Sequence, residues 1–405
     1  MGQRVLAGLR VMELGHYVAA PFASRLLADL GADIIKVEPP GGDPARQWGE
    51  QVGGHSLWWS SHARNKRCIS VDLKHRAAPG IIKRIAARCD AVVENFRPGQ
   101  LDRMGIGPDA LRAVRPGLIF AHISGYGQTG PDRDRAAFGV IGEAIGGLRH
   151  LTDHPPGTSD LPPVRVGISI GDSVSGLYAA IGLLAALWQR DRNGSDGRER
   201  TVDVALTESM LSLMEGMLPE YGMLGKVKQP TGGGIATAAP TNAYPSADDS
   251  WVLIAANSEP LFAKLMTLIG RPEIIGAPGY RGNQERVANV AELDRMIGEW
   301  TRQHTAVELA RILSAADIPS SKVYDAADIA ADAQYGSRAM VRTVDDPFFD
   351  RPVLHPGVVP RLEGDADDIR WPGPAIGAHT DAILQAVAGY SAVEIDDLRR
   401  QGVVA

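Results

Sequence analysis

The chain has 405 residues, 44% hydrophobic and 22% charged, with a formal net charge of −6 at pH 7. This excludes a fibrous or disordered chain and leaves length for two or three domains with sizeable cores. The negative balance gives no general attraction to nucleic acid or to an anionic membrane, so an anionic ligand must be held by local cations.

The two cysteines, Cys68 and Cys89, have no paired spacing and no neighbouring histidine pattern. We expect no zinc site and no disulfide framework, and a reduced, cytoplasmic setting. The opening MGQRVLAGLRVMELG lacks the continuous apolar core of a signal peptide. The most apolar run, 174–188, is short for a bilayer and is interrupted by Ser175 and Gly182, so the expectation is a soluble enzyme without a membrane partner.

Residues 9–14 predict a first strand, 21–30 a helix with Pro21 in its first turn and Gly31 as its stop, and 33–38 a second strand. The loop PPGGDPAR, 39–46, follows at the carboxyl end of that strand, as a ligand loop or as an ordinary surface turn. In RNKRCISVDLK, 64–74, basic residues flank a short strand, either to hold phosphates or as a solvated charged edge. A helix over 77–88 and a strand over 91–93 make a second βαβ repeat. ENFRPGQLDRMG, 94–105, then carries Arg97 in a loop and Arg103 in a short helix, and 118–123 reads as another strand.

Gly125, Gly127 and Gly130 have the spacing of a dinucleotide fingerprint after a strand. The charged run Pro131–Arg135 stands where a hydrophobic helix should open, so NAD or FAD binding is rejected. Residues 136–147 are small and helical in spacing, suited to close packing. After a proline-rich loop, alternating Val164, Val166, Ile168 and Ile170 predict a strand ending at Gly171, and Leu177, Ile181, Leu184 and Leu187 predict a buried helix. Asp172 falls on the turn between them, as an N-cap or as a nucleophile on a rigid strand-to-helix turn, and local sequence leaves both open.

A polar turn over 190–200, a strand over 202–206 and a methionine-rich helix over 207–222 follow. The glycine-rich stretch 226–239, with Gly232, Gly233 and Gly234, marks a domain boundary, as a simple linker or as a mobile flap. The expected division is an N-terminal part of a large domain over 1–200, a linker helix and Gly-rich segment over 201–238, a small α+β domain over 239–325, and a return linker with the C-terminal part of the large domain over 326–405. The Pro-rich tail and a helix beginning near Ser391 are expected to pack back on the first domain.

Several separated motifs converge: EPPGGDPAR (38–46), NKRCISVDLK (65–74), VENFRPGQLDRMG (93–105), HISGYGQTGP (122–131), GDSVSGLYAA (171–180) and APTNAYPSADDSWVLIAA (239–256). In this order they cover most of the chain, which resembles the family III CoA-transferases, a group with formyl-CoA transferase, carnitine CoA-transferase and a racemase branch. The resemblance implies an α/β fold, with a Rossmann-like large domain built from both chain ends and a smaller α+β domain, in an interlaced homodimer. It implies that Asp172 is the nucleophile and that Gly232–Gly234 are the glycine loop shielding the intermediate. By the same resemblance, coenzyme A lies along His16, Val18, Val71, Asp72, Leu73, Lys74, Asn95, Phe96, Arg97, Arg103, Arg135, Ala136, Ala137 and Phe138. Arg97 and Arg103 are the choices for its phosphates, because a planar guanidinium binds a phosphate through two bonds.

No tightly bound cofactor or metal is implied; CoA and acyl-CoA are substrates, the second substrate is a carboxylic acid, and the macromolecular partner is a second copy. Where the racemase branch carries a proton-transferring histidine this chain has Phe138, and a phenyl ring carries no proton, so racemisation is the second choice. Val18 stands where the formyl-CoA subgroup has Gln, which speaks against formyl and oxalyl substrates, and APTNAYPSADDSW, 239–251, resembles members that use succinyl-CoA or similar dicarboxylic acyl donors. A non-catalytic acyl-CoA-binding protein is the third reading, and the intact Asp172 speaks against it.

Overall fold

Six short runs dominated by β-branched and alanine residues pair side by side in a computed structural model, which describes residues 4–193, 200–363 and 368–405. They are β1 (Arg10–Glu13), β2 (Asp33–Glu38), β3 (Lys66–Ser70), β4 (Ala91–Glu94), β5 (Ile119–Ser124) and β6 (Thr201–Ala205). Their order is β3-β2-β1-β4-β5-β6, and every neighbouring pair is parallel. Strands buried on both faces read as apolar runs rather than as alternation, which is how Val92 and Val93 are both fully buried. The chain builds outward from β1 to β3, returns, and builds the other way from β4 to β6. That reversal leaves a crevice between the loops after β1 and β4, where doubly wound sheets bind ligands.

One face of the sheet is covered by the Ala78–Ala86, Thr380–Ala386 and Ala392–Arg400 helices through Ile81, Ile82, Ile85, Ile383, Leu384, Ile395 and Leu398. The other is covered by the Ala19–Asp29 and Ile170–Asn193 helices through Ala19, Ala20, Ala23, Ala179, Ala180 and Leu183. The C-terminal segment joins this unit: Asp72 N–H donates to the Val403 carbonyl at 2.8 Å, and Val71 and Val404 form a bridge. The unit comprises Met1–Arg149, Val166–Gly225 and Gln334–Ala405.

The other unit, His150–Arg165 with Lys226–Ala333, is built on a three-stranded antiparallel sheet of Thr241–Pro245, Trp251–Ala255 and Ser320–Lys322. Tyr244, Phe262, Leu265, Leu293 and Leu309 fill its core under the Glu259–Leu268, Val290–Thr301 and Ala306–Ala315 helices.

Four sequence expectations are corrected. Residues 164–169 form no strand, and the helix opens at Ile170, so Asp172 is its third residue and not a cap before it. Val164 and Ile168 are exposed and have no ladder partner, and alternation without a partner makes no strand. Residues 201–225, set apart above as linker, supply the edge strand β6 and the helices Leu206–Leu211 and Met217–Leu224. The single helix over 207–222 is broken where Glu215 takes a φ of +47°, outside the helical region. Finally, the apolar helix is longer than 174–188: by length and composition alone, Ile170–Arg192 is sufficient to cross a membrane. Its alanine stripe here lies against the sheet.

Candidate active site

The crevice is drawn together by Asn95, whose Oδ1 accepts from His16 N–H at 2.9 Å while its Nδ2 donates to the His16 carbonyl at 2.9 Å. The His16 and Phe96 rings meet edge-on at 5.3 Å. Gly15 is required here: a Cβ would lie 2.4 Å from the Ala20 Cβ and 2.9 Å from Asn95 Oδ1. Glu94 steadies the β4 side, accepting from Phe96 N–H at 2.6 Å and pairing with the His122 imidazole at the same level of β5.

Asp172 occupies the first turn of the 24-residue Ile170–Asn193 helix, the end that favours a negative charge. Its carboxylate lies against the backbone of Gly139, where a Cβ would stand 2.2 Å from Asp172 Oδ2. The approach is reciprocal, since a Cβ on Gly171 would stand 2.6 Å from the Gly139 carbonyl oxygen. Gly139 opens the Gly139–Ile145 helix, whose Gly142 and Gly146 pack on Leu206 and Met210 in the same way. The small-residue run in the sequence thus brings one backbone against another beside the nucleophile candidate.

Two features escaped the sequence reading. Glu143, one turn after Gly139, is fully buried; its Oε2 accepts from Arg149 Nε at 3.1 Å, and its Oε1 has no hydrogen-bond partner. An acid inside an otherwise apolar, small-residue run was the available signal. The second is a buried charge cluster beneath the first loop. Lys36 Nζ bonds Glu13 Oε1 at 2.6 Å, the Gly15 carbonyl at 2.9 Å and Asp43 Oδ2 at 2.7 Å; Lys66 Nζ bonds Glu13 Oε2 at 2.8 Å and the Pro21 carbonyl at 2.7 Å. Burial would raise the Glu13 carboxyl, but the two ammonium groups outweigh it and hold it at about 2. Burial would likewise lower Lys36, and Asp43, Glu13 and Glu38 together raise it instead. His62 is driven down to about 3 by burial, helped by Lys66 and Arg25, and is neutral.

The residues singled out for coenzyme A all follow carboxyl ends of strands: His16 and Val18 after β1, Val71–Lys74 after β3, Asn95–Arg97 and Arg103 after β4, and Arg135–Phe138 after β5. Lys74, Arg97, Arg103, Arg135, Ala136 and Phe138 are exposed, Asp72, Leu73, Asn95, Phe96 and Ala137 half-buried. Val18 and Val71 are buried. The basic run at 64–67 is neither a phosphate site nor a solvated edge: Arg64 pairs with Asp29, Lys66 with Glu13 and Arg67 with Asp33. Gly232, Gly233 and Gly234 belong to the other unit, where Gly232 has a φ of +66° and Thr231 Oγ1 donates to the Gly234 carbonyl. A cavity of about 370 Å³ lined by Arg46, Trp59, Asp346, Phe348 and Ile376, among others, includes none of the residues predicted for the site.

The family description "CoA-transferase family III" matches residues 6–380. The chain is 42% identical to a succinyl-CoA–D-citramalate CoA-transferase of Chloroflexus aurantiacus, over 99% of this chain and 98% of that one. It is 36% identical to the beta subunit of a succinyl-CoA–L-malate CoA-transferase of the same organism, over 98% of each. Among solved structures, a CAIB/BAIF family protein from Brucella suis is similar with a TM-score of 0.83 and 31% identity, over 96% of this chain and 100% of that one.

Proposed function

Since the chain belongs to CoA-transferase family III and is an enzyme of that kind, we propose that it moves CoA from succinyl-CoA to a short hydroxy-dicarboxylic acid through covalent intermediates on Asp172. The observation that carries this is the Asp172 carboxylate lodged in the first turn of a long helix against the Gly139 backbone, at the helix end that favours negative charge. The donor and acceptor class rest on the substrates in the names of the two Chloroflexus relatives.

Exchange of CoA between two carboxylates needs a group that forms both an anhydride and a thioester, and a carboxylate does both. Asp172 attacks the succinyl thioester carbonyl, the C–S bond breaks, and CoA thiolate leaves an acyl-aspartyl anhydride. The thiolate attacks the aspartyl carbonyl, releasing succinate and leaving an aspartyl-CoA thioester. The acceptor carboxylate attacks that thioester and expels the thiolate, which then takes the acceptor's acyl group and restores Asp172. Arg97 and Arg103 hold CoA phosphates in this scheme. Gly232–Gly234 shield the anhydride from water, and hydrolysis would otherwise drain it. Racemisation is not favoured: the named relatives are transferases and Phe138 moves no proton.

The working form in this reading is a cytoplasmic homodimer. Leu177, Ile181 and Trp188 on the Ile170–Asn193 helix, at 43%, 61% and 67% exposure, make an apolar stripe that a second copy would cover. Light scattering tests this, and a monomer at micromolar concentration would remove it. For the chemistry, the chain is incubated with succinyl-CoA and hydroxylamine and examined by peptide mass spectrometry. A hydroxamate on Asp172, absent from Asp172→Ala, is expected, with turnover on D-citramalate or L-malate. If Asp172 stays unlabelled across an acyl-CoA panel while α-protons of a branched acyl-CoA exchange in heavy water, the transferase reading fails.

A further inference from the structure

Tyr17 lies in the middle of the loop between β1 and the Ala19–Asp29 helix with a φ of +62°, in the left-handed region that a tyrosine adopts only when its surroundings impose it. Both of its backbone polar groups are held by buried side chains distant in sequence. Asp43 Oδ1 accepts from Tyr17 N–H at 3.1 Å, and His62 Nε2–H donates to the Tyr17 carbonyl at 2.9 Å. Asp43 is itself fixed by Lys36 at 2.7 Å and by Ala45 N–H at 2.9 Å. Lys36 and Lys66 grip the Gly15 and Pro21 carbonyls on either side. The cluster therefore binds the backbone at positions 15, 17 and 21, and its members Glu13, Lys36, Asp43, His62 and Lys66 are each 4% exposed or less.

The loop so held touches the nucleophile's surroundings at two points. The Tyr17 ring meets Phe138 edge-on at 6.3 Å, and Phe138 immediately precedes Gly139, against which Asp172 lies. The helix that follows the loop packs on the nucleophile's own helix one turn after Asp172, where a Cβ on Gly176 would stand 2.8 Å from the Ala19 carbonyl oxygen. One contact is made by Tyr17 itself and the other two residues on, at Ala19.

We infer that Asp43 and His62 are positioning residues for acyl transfer, acting on Asp172 through the left-handed backbone of Tyr17 and not by touching substrate. The inference rests on Asp172 being the nucleophile. It requires a proton on His62 Nε2, which the facing Tyr17 carbonyl demands, while stacking on Trp58 at 4.9 Å fixes the ring plane.

The test is a double-mutant cycle of His62→Leu and Tyr17→Gly in the full chain, read by kcat and KM and by amide exchange of the peptide spanning 14–22. Glycine takes a positive φ without the steric cost, so it no longer needs the clamp. In the native background, His62→Leu should lower kcat about tenfold or more with KM little changed, as expected for a nucleophile displaced by a fraction of an ångström. It should also accelerate exchange in that peptide. In the Tyr17→Gly background the same substitution should cost threefold or less, by order of magnitude, and His62→Gln, which keeps a donor, should recover most of the native kcat. Equal costs in the two backgrounds, or native-like exchange in His62→Leu, would overturn the inference. The exchange arm decides between clamp and no clamp even if native enzyme fails to label Asp172, in which case only the transferase reading is lost.

Discussion

The two faces of the central sheet are covered by different means. On one, Ile81, Ile82, Ile85, Ile383 and Leu398 interdigitate with Met12, Val92 and Phe120, large side chain against large side chain. On the other, Gly176 and Ala19 bring the Ile170–Asn193 and Ala19–Asp29 helices together through their backbones, and alanines of both helices lie in the core against the sheet. Large-residue packing contributes burial, roughly 25 cal/mol per Å², and tolerates small adjustments. Backbone contact contributes less area and leaves no rotamer to absorb a shift. The face that carries Asp172 adds close backbone approach to a core that also holds Leu27, Ile34, Ile119 and Leu183, so positional accuracy there comes on top of ordinary burial.

Ile82→Ala on the large-residue face should have the largest effect. Ile82 is fully buried, and the expected loss is about 2–5 kcal/mol of stability in denaturant titration, with kcat unchanged wherever the protein remains folded. Gly139→Ala on the other face should do the reverse. The added methyl would stand 2.2 Å from Asp172 Oδ2, so kcat should fall about 10²-fold while the melting temperature moves far less. If both substitutions change stability and turnover in the same proportion, the two faces do not differ as described.

Acid acts on stability through the buried titratable groups. His62 and His355 are held neutral chiefly by burial, with apparent values near 3 and 4. Below the ordinary histidine value of about 6.5 the unfolded chain binds protons at these rings that the folded chain refuses, so stability falls as pH drops from 6.5 toward 4. Glu13 extends the loss: its contribution is complete above the ordinary carboxyl value of about 4.5 and disappears as pH falls through that value toward about 2. Melting temperatures from pH 7 to 4 should decline steadily, and replacing both His62 and His355 by Gln should flatten the slope by up to about two protons. The smallest effect belongs to Ser391→Ala, which removes half of a capping box on the Ala392–Arg400 helix and should cost about 1 kcal/mol with no effect on turnover.

Much of this was legible beforehand where a local rule has a local cause. Gly31 ends its helix with a φ of +107°, Ser391 caps the last helix, and the βαβ rhythm of the first half predicts a parallel sheet. The alternation at 164–170 misled, because period two expresses a strand only where a neighbouring edge supplies the hydrogen bonds. The basic run at 64–67 misled for a related reason: a sequence displays a charge but not the partner, and Asp29, Glu13 and Asp33 lie 30 or more residues away.

The sequence alone carried the βαβ rhythm of the first half, the family through separated motifs and, through that resemblance, Asp172 as the nucleophile candidate. These depend on spacing and on residue chemistry, which are one-dimensional. The tertiary structure decided where Asp172 lies, which lysines are buried, and how Tyr17 is forced into a left-handed backbone by Asp43 and His62. Those depend on distances between residues tens or hundreds of positions apart, and steric exclusion at Gly139 and Gly176 exists only when two backbones have already met.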